Sequence, residues 1–178
     1  MEYTASMAPK NIDKLNCSVA NALNIIGDGW TILILREAFF GSRRFEDFQK
    51  HLGIARNILT ARLNKLCDHG VLARVPIKEG ARRNEYKLTP MGRDLHAILI
   101  GLTQWGDRWL LKEQGAPVLF VERATGKEVA DLEIFTKDGK KLKARELAVK
   151  PGPGATAETK KRLQLIANAR KHKRAQPN

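Results

Sequence analysis

The chain has 178 residues, 43% of them apolar, enough for one packed domain with an extension and too few for two full domains. Its formal net charge of +13 favours a polyanionic partner, either nucleic acid or an anionic membrane surface. No stretch reaches the roughly 18–20 apolar residues of a bilayer-spanning helix, and the first residues lack the apolar core of a signal peptide. Two cysteines, Cys17 and Cys67, do not indicate a disulfide framework, so a soluble cytoplasmic protein is expected.

Residues 1–14 read as an irregular arm. Residues 17–27 predict a helix with Val19, Ala22, Leu23 and Ile26 on one face and Gly27 as a stop. Residues 30–41 are strongly apolar and predict a second, deeply buried helix that ends at Gly41. A short third helix follows at 43–53, with Phe45, Phe48 and Leu52 turned inward. The segment RNILTARLNKLCDHGVLAR, residues 56–74, predicts a fourth helix running into a strand. Ile58, Leu59, Leu63 and Leu66 share one side of that helix. Asn57, Thr60, Ala61 and Asn64 share the other, with Arg56 in the first turn and Gly70 as a stop.

The period then changes. Residues 71–78 and 84–89 alternate around EGARR (79–83), the pattern of a hairpin with a basic tip, and Pro76 marks its first strand as an edge or a break. Thr89 and Pro90 open a fifth helix as cap and first residue, running to about residue 112. Its apolar stripe, Met91, Leu95, Ile98, Leu102, Trp105 and Trp109, is widened by Leu99, Leu110 and Leu111. So much apolar surface asks for a partner chain. Residues 117–123 and 128–150 suggest a few short strands, and PGPG (151–154) breaks them. Residues 150–178 hold eight lysines and arginines against Glu158 alone, so about half of the excess charge lies in a basic helix or disordered tail. Four segments result: an arm (1–14), a helical domain with a hairpin (15–112), a β-rich extension (113–150) and a basic, flexible tail (151–178).

Three helices, a fourth of recognition type and a basic-tipped hairpin are the winged helix-turn-helix order of elements. The expected fold is therefore mainly α with a β-hairpin wing. That order explains the odd face of the fourth helix, because a helix enters the major groove only if its outward side chains are short. Asn57 and Asn64 would pair with adenine edges, Arg56 with guanine, and Ala61 or the Thr60 methyl would touch thymine. The positive end of the helix dipole faces phosphate. Asp68, near the other end, limits entry to the N-terminal half. Phosphate contacts would come from Arg43 and Arg44 before the third helix and from Lys78, Arg82 and Arg83 at the hairpin. Ala55 stands where a capping Ser, Thr or Asp is expected.

The run CSVANALNIIGDGWTILILREAFFGSRRFEDFQKHLGIARNILTARLNKLCDHGVLAR, followed by NEYKLTPMGRDL and LTQWGDRW, resembles the HxlR-type regulators. These are bacterial winged-helix transcription factors related to the MarR group. The resemblance covers about residues 15–112. It implies a homodimer built largely from the first and fifth helices, with Val19, Leu95, Ile98, Leu102, Trp105 and Trp109 at the interface. It also implies a pseudo-palindromic operator with one recognition helix per half-site. The family includes repressors and activators. Cys17 matches the N-terminal cysteine of the family motif, which in some members responds to electrophiles or oxidants; the alternative is a buried small apolar residue. The C-terminal part resembles longer members that share a PGPG-like end. Some of those carry cysteines there, but residues 113–178 here have none, which rules out a thiolate zinc site in that segment.

Other functions find less support. His51, His69, His96 and His172 have no metal-ligand spacing, and there is no glycine-rich phosphate loop, so neither an enzyme nor a cofactor is implied. The basic tail leaves open a nonspecific nucleic-acid or chromosome-associated protein. A dimer pocket lined by Trp30, Trp105 or Phe39 is a further place for an aromatic effector.

Overall fold

The computed structural model describes residues 12–78 and 83–175. Contacts divide the chain into two compact units, one spanning Ala22–Leu132 and the other combining residues up to 21 with those from 133 onward. The division passes through the first helix, α1 (Ser18–Ile26), and splits the expected β-rich extension between the units.

The first unit is built around α2 (Gly29–Phe40), which touches α3 (Phe45–Leu52), α4 (Arg56–Asp68), the hairpin and α6 (His96–Trp109). Its deep burial follows from composition: Ile34, Leu35 and Ala38 are fully enclosed and Thr31 nearly so. Asp28 caps its first turn by accepting from the Thr31 N–H at 3.2 Å. From α4 come Leu59, Leu63 and Leu66, all fully buried at helical spacing. Burying each contributes about 1.5–3 kcal/mol, which holds α4 down by one face and leaves the opposite face free. Phe48 of α3 closes the core, with Tyr86 packed edge-on at 6.3 Å between centroids.

The wing is an antiparallel pair, β1 (Leu72–Pro76) and β2 (Asn84–Leu88), in the register Leu72↔Leu88, Arg74↔Tyr86 and Pro76↔Asn84. Pro76 ends its strand, as its missing N–H requires. Leu72 is buried and Leu88 packs against the core, so the base of the hairpin is part of the hydrophobic cluster. Fold class and the elements from residue 17 to residue 78 agree with the sequence reading. The result is a winged helix-turn-helix.

The single helix expected over 90–112 is instead two segments, α5 (Pro90–Arg93) and α6. Between them one turn tightens, Leu95 N–H donating to Gly92 O at 3.2 Å before the α pattern resumes. The cause is local crowding. Thr89 caps α5 through Gly92 N–H at 3.1 Å and also donates its hydroxyl to Gly70 O at 2.6 Å. That draws α5 against the end of α4, where a Cβ on Gly92 would stand 2.2 Å from Val71 O. Only glycine fits there. After α6 the chain turns back on that helix. Gln104 donates to Ala130 O at 3.1 Å and accepts from Leu132 N–H at 2.8 Å.

In the second unit, the strands expected over 128–150 shrink to β3 (Ile134–Phe135) and β4 (Lys141–Leu142), two residues each. Their side chains are mostly exposed, so there is little burial to extend the pair. Of the two readings of the basic C-terminal segment, a helix or a disordered tail, residues Ala157–Ala175 take the first and form helix α7. Thr156 caps it by accepting from Thr159 N–H, and Leu163 and Ile166 are half-buried. Asn16 grips the same turn: its amide donates to Gly154 O at 3.2 Å, and its carbonyl accepts from Thr156 N–H and the Thr159 hydroxyl. Of the expected N-terminal arm, Ile12–Lys14 form one 3-10 turn, and residues 1–11 lie outside the described residues.

Candidate nucleic-acid interface

The outer face of α4 is built from its N-terminal half. Arg56, Asn57, Thr60 and Ala61 are all exposed there, while Leu59 and Leu63 are buried. The Arg56 guanidinium lies 4.8 Å from the centroid of the Phe45 ring, a cation–π contact that gives a long side chain one preferred direction. Thr60 donates its hydroxyl to Arg56 O at 2.8 Å, so its hydrogen bond is satisfied within the helix. The helix starts without a side-chain cap at Ala55. Its first N–H groups therefore point outward without a capping side chain, an arrangement suited to an anion.

Asn64 differs from the other four. It is half-buried, and its side-chain oxygen accepts from Arg74 of β1. Arg74 also lies over the Tyr86 ring, at 5.9 Å. The amide thus ties α4 to the wing.

Of the expected phosphate contacts, Arg44, Lys78 and Arg83 are exposed. Arg44 and Arg83 line one groove between the first turn of α3 and the wing. Arg43 is engaged within the protein. It is half-buried and donates to Ala38 O at 2.6 Å and Ser42 O at 3.0 Å, closing the C-terminal end of α2. A guanidinium beside the last carbonyls of a helix is drawn to them by the negative end of the helix dipole. Arg82 lies outside the described residues.

Two polar clusters escaped the sequence reading. In the first, both oxygens of Asp28 receive the guanidinium of Arg62 on α4, at 2.8 and 3.0 Å. Burial pushes the Asp28 carboxyl up, but the Arg62 hydrogen bonds, the Thr31 N–H and the Arg62 charge outweigh it. The carboxyl is held below its ordinary value. The Asp before an apolar helix was a legible cap signal; its partner 34 residues away was not. In the second, buried Glu37 accepts from Arg36 at 2.8 Å and meets His51 Nδ1 at 3.2 Å, with the Ser42 hydroxyl 3.1 Å from that same nitrogen. A hydrolytic relay uses the two ring nitrogens separately. Here both contacts fall on one, the pattern of a structural cluster joining α2 to α3.

The expected dimer residues separate into two sets. Ile98, Leu102, Trp105 and Trp109 form an exposed stripe along α6, with Trp105 55% and Trp109 67% exposed, and Val19 is exposed on α1. Leu95 turns inward against the core. Of the three aromatics considered for a pocket, Phe39 lines a cavity, whereas Trp30 and Trp105 do not border it. Cys17 is a free thiol, exposed in the single chain. Cys67 is half-buried, and burial pushes its thiol up, with Asp68 adding to the shift and Arg74 opposing it.

A sequence model of the HxlR-like helix-turn-helix family matches residues 25–114. The chain is 43% identical over 141 residues to the uncharacterized HTH-type transcriptional regulator Rv3095 of Mycobacterium tuberculosis, covering 79% of this chain and 89% of that protein. It is 36% identical over 98 residues to a Synechocystis HTH-type regulator, sll1512, covering 54% and 73%. Two solved structures of candidate transcription factors are similar in fold. PA1607 superposes with a TM-score of 0.73 at 42% identity, covering 79% of this chain and 98% of its own. PA1374 of Pseudomonas aeruginosa gives 0.59 at 37%, covering 82% and 99%.

Proposed function

The chain belongs to the HxlR-like helix-turn-helix family, and we propose that it works as a homodimer reading a pseudo-palindromic operator. It is a DNA-binding transcriptional regulator of the winged-helix class. The observation that carries the finer reading is the outer face of α4: four exposed residues with short or pre-oriented side chains above a fully buried leucine stripe. Asn57 reads adenine, Arg56 reads guanine, and Thr60 and Ala61 contact thymine methyls. Arg44, Arg83 and Lys78 hold the flanking phosphates. Asn64 and Arg43, engaged within the protein, serve this interface by positioning it.

The dimer forms through the exposed stripe of α6, supported by Val19 on α1. Four large apolar side chains left in water favour association, and a symmetric pair of such helices presents two α4 helices to successive turns of DNA. The protein acts in the cytoplasm on the chromosome, and Cys17 is the thiol open to a modifying signal.

The test is binding of the purified chain to DNA flanking its own gene, in moderate salt with excess competitor. A discrete footprint with two-fold symmetry is expected. One observation favours a second reading, a nonspecific nucleic-acid binder: Lys160, Lys161 and Arg162 are exposed on α7. Pure backbone binding gives no footprint, is removed by competitor and falls steeply with salt for every duplex alike.

A further inference from the structure

We propose that a cavity in the Ala22–Leu132 unit binds a small amphipathic anion, an apolar chain or ring of about a dozen heavy atoms ending in a carboxylate. The cavity has a volume of about 580 Å3, within the roughly 300–1,000 Å3 of small-ligand sites. Its walls are Ile32 and Phe39 of α2 and Leu99 and Ile100 of α6, and residues 118–121 roof it.

The walls are apolar in effect as well as in composition. Thr103, the hydroxyl among them, donates to Leu99 O at 3.0 Å and has no unmet demand for a polar ligand. The roof is preformed. Val129 N–H donates to Phe120 O at 2.9 Å and Glu122 N–H to Lys127 O at 2.7 Å, while Gln104 pins the returning segment to α6. This roof lies outside residues 25–114, the part that matches the family model. The extension therefore adds the site to the winged helix.

Charge decides the ligand class. Among the described residues, the charged side chains lining the cavity are Arg36 and Arg123, with His96 beside them, and no Asp or Glu lines it. Arg36 is partly neutralised, because its Nε and Nη2 engage Glu37 at 3.2 and 2.8 Å. His96 donates Nδ1–H to Arg93 O at 3.1 Å, which fixes its ring at the cavity edge. Arg123 is therefore the main counter-charge for a carboxylate. A cationic ligand meets repulsion here, and a neutral one uses the walls but leaves Arg123 idle. The occupant touches α2, whose first turn holds α4 through Asp28 and Arg62, so binding is placed to act on the DNA-reading face. That consequence rests on the reading of the chain as a DNA-binding regulator; occupancy of the cavity does not.

Decanoate and decanol, of equal chain length and below their aggregation limits, test the proposal on the full chain by calorimetry and thermal melting. Decanoate is expected to bind once per chain and raise the melting temperature, with decanol at least about tenfold weaker. Arg123→Glu, at an exposed position, should weaken decanoate about tenfold and leave decanol unchanged. Leu119→Asp, in the roof, should weaken both. Equal binding of the two compounds, binding of neither, or decanoate binding that ignores Arg123→Glu overturns the proposal. A parallel footprint without decanoate keeps the two readings apart. A footprint with no decanoate binding removes the site alone, and decanoate binding without a footprint removes the operator reading alone.

Discussion

At Asp28 a single carboxylate caps α2 and receives both arms of Arg62 from α4. Asparagine can still cap but carries no charge. Asp28→Asn should therefore cost up to about 1 kcal/mol, the scale of a pair that is about one-third exposed, and Asp28→Ala about 1–2 kcal/mol. Because the folded carboxyl lies below its unfolded value of 3.8, the unfolded state binds the extra proton. This stability is present above pH 3.8 and is lost as pH falls through the folded value. Urea melts from pH 7 downward should show a shallower acid loss in Asp28→Asn than in the parent; identical slopes would remove the pair from the acid limb. On the outer face of α4, Asn57→Ala or Thr60→Ala should cost about 1–3 kcal/mol at the operator and little on random DNA. Competition binding measures both, and equal losses would take these residues out of base reading.

At the scale of elements, α4 is held at three places: leucines beneath, Arg62 at α2 and Asn64 at the wing through Arg74. A groove-entering helix needs such support, since its outward face contributes no packing of its own. The junction of α4, β1 and α5 depends on Gly92. Gly92→Ala would drive a Cβ into Val71 O, a backbone atom that cannot rotate away. A loss of about 1–3 kcal/mol in chemical denaturation is expected. A neutral substitution would mean α5 can move without disturbing α4.

For the whole molecule, the proposed dimer rests on the exposed apolar stripe of α6. Trp105→Glu should convert the dimer to monomer in analytical ultracentrifugation and weaken operator binding far more than nonspecific binding, since one half-site is lost. A variant that stays dimeric would move the interface elsewhere. The cavity of the proposed ligand site lies beside the same helix, with Leu99 and Ile100 of α6 in its wall.

Periodicity and punctuation determined most of the local structure. Leucines at helical spacing define α4's buried side, the alternation at 71–78 and 84–89 defines the wing, and Thr89-Pro90 marks the start of α5. These signals are legible because each depends only on neighbours within a few residues. By the same logic α4's outer face was legible from its short side chains. The use of each polar group was decided by tertiary structure. Arg43 and Arg83 are equally basic in sequence, but one caps α2 and the other is exposed, because only the fold brings carbonyls within reach of Arg43. Asn64 and Asn57 share a face in projection, but Arg74, ten residues beyond Asn64, claims only Asn64. Asp28 finds Arg62, and the chain beyond α6 folds back to roof a cavity, through contacts that no local pattern encodes. Hydrogen bonds and ion pairs act over a few ångströms in space, and which residues lie that close is a property of the folded chain.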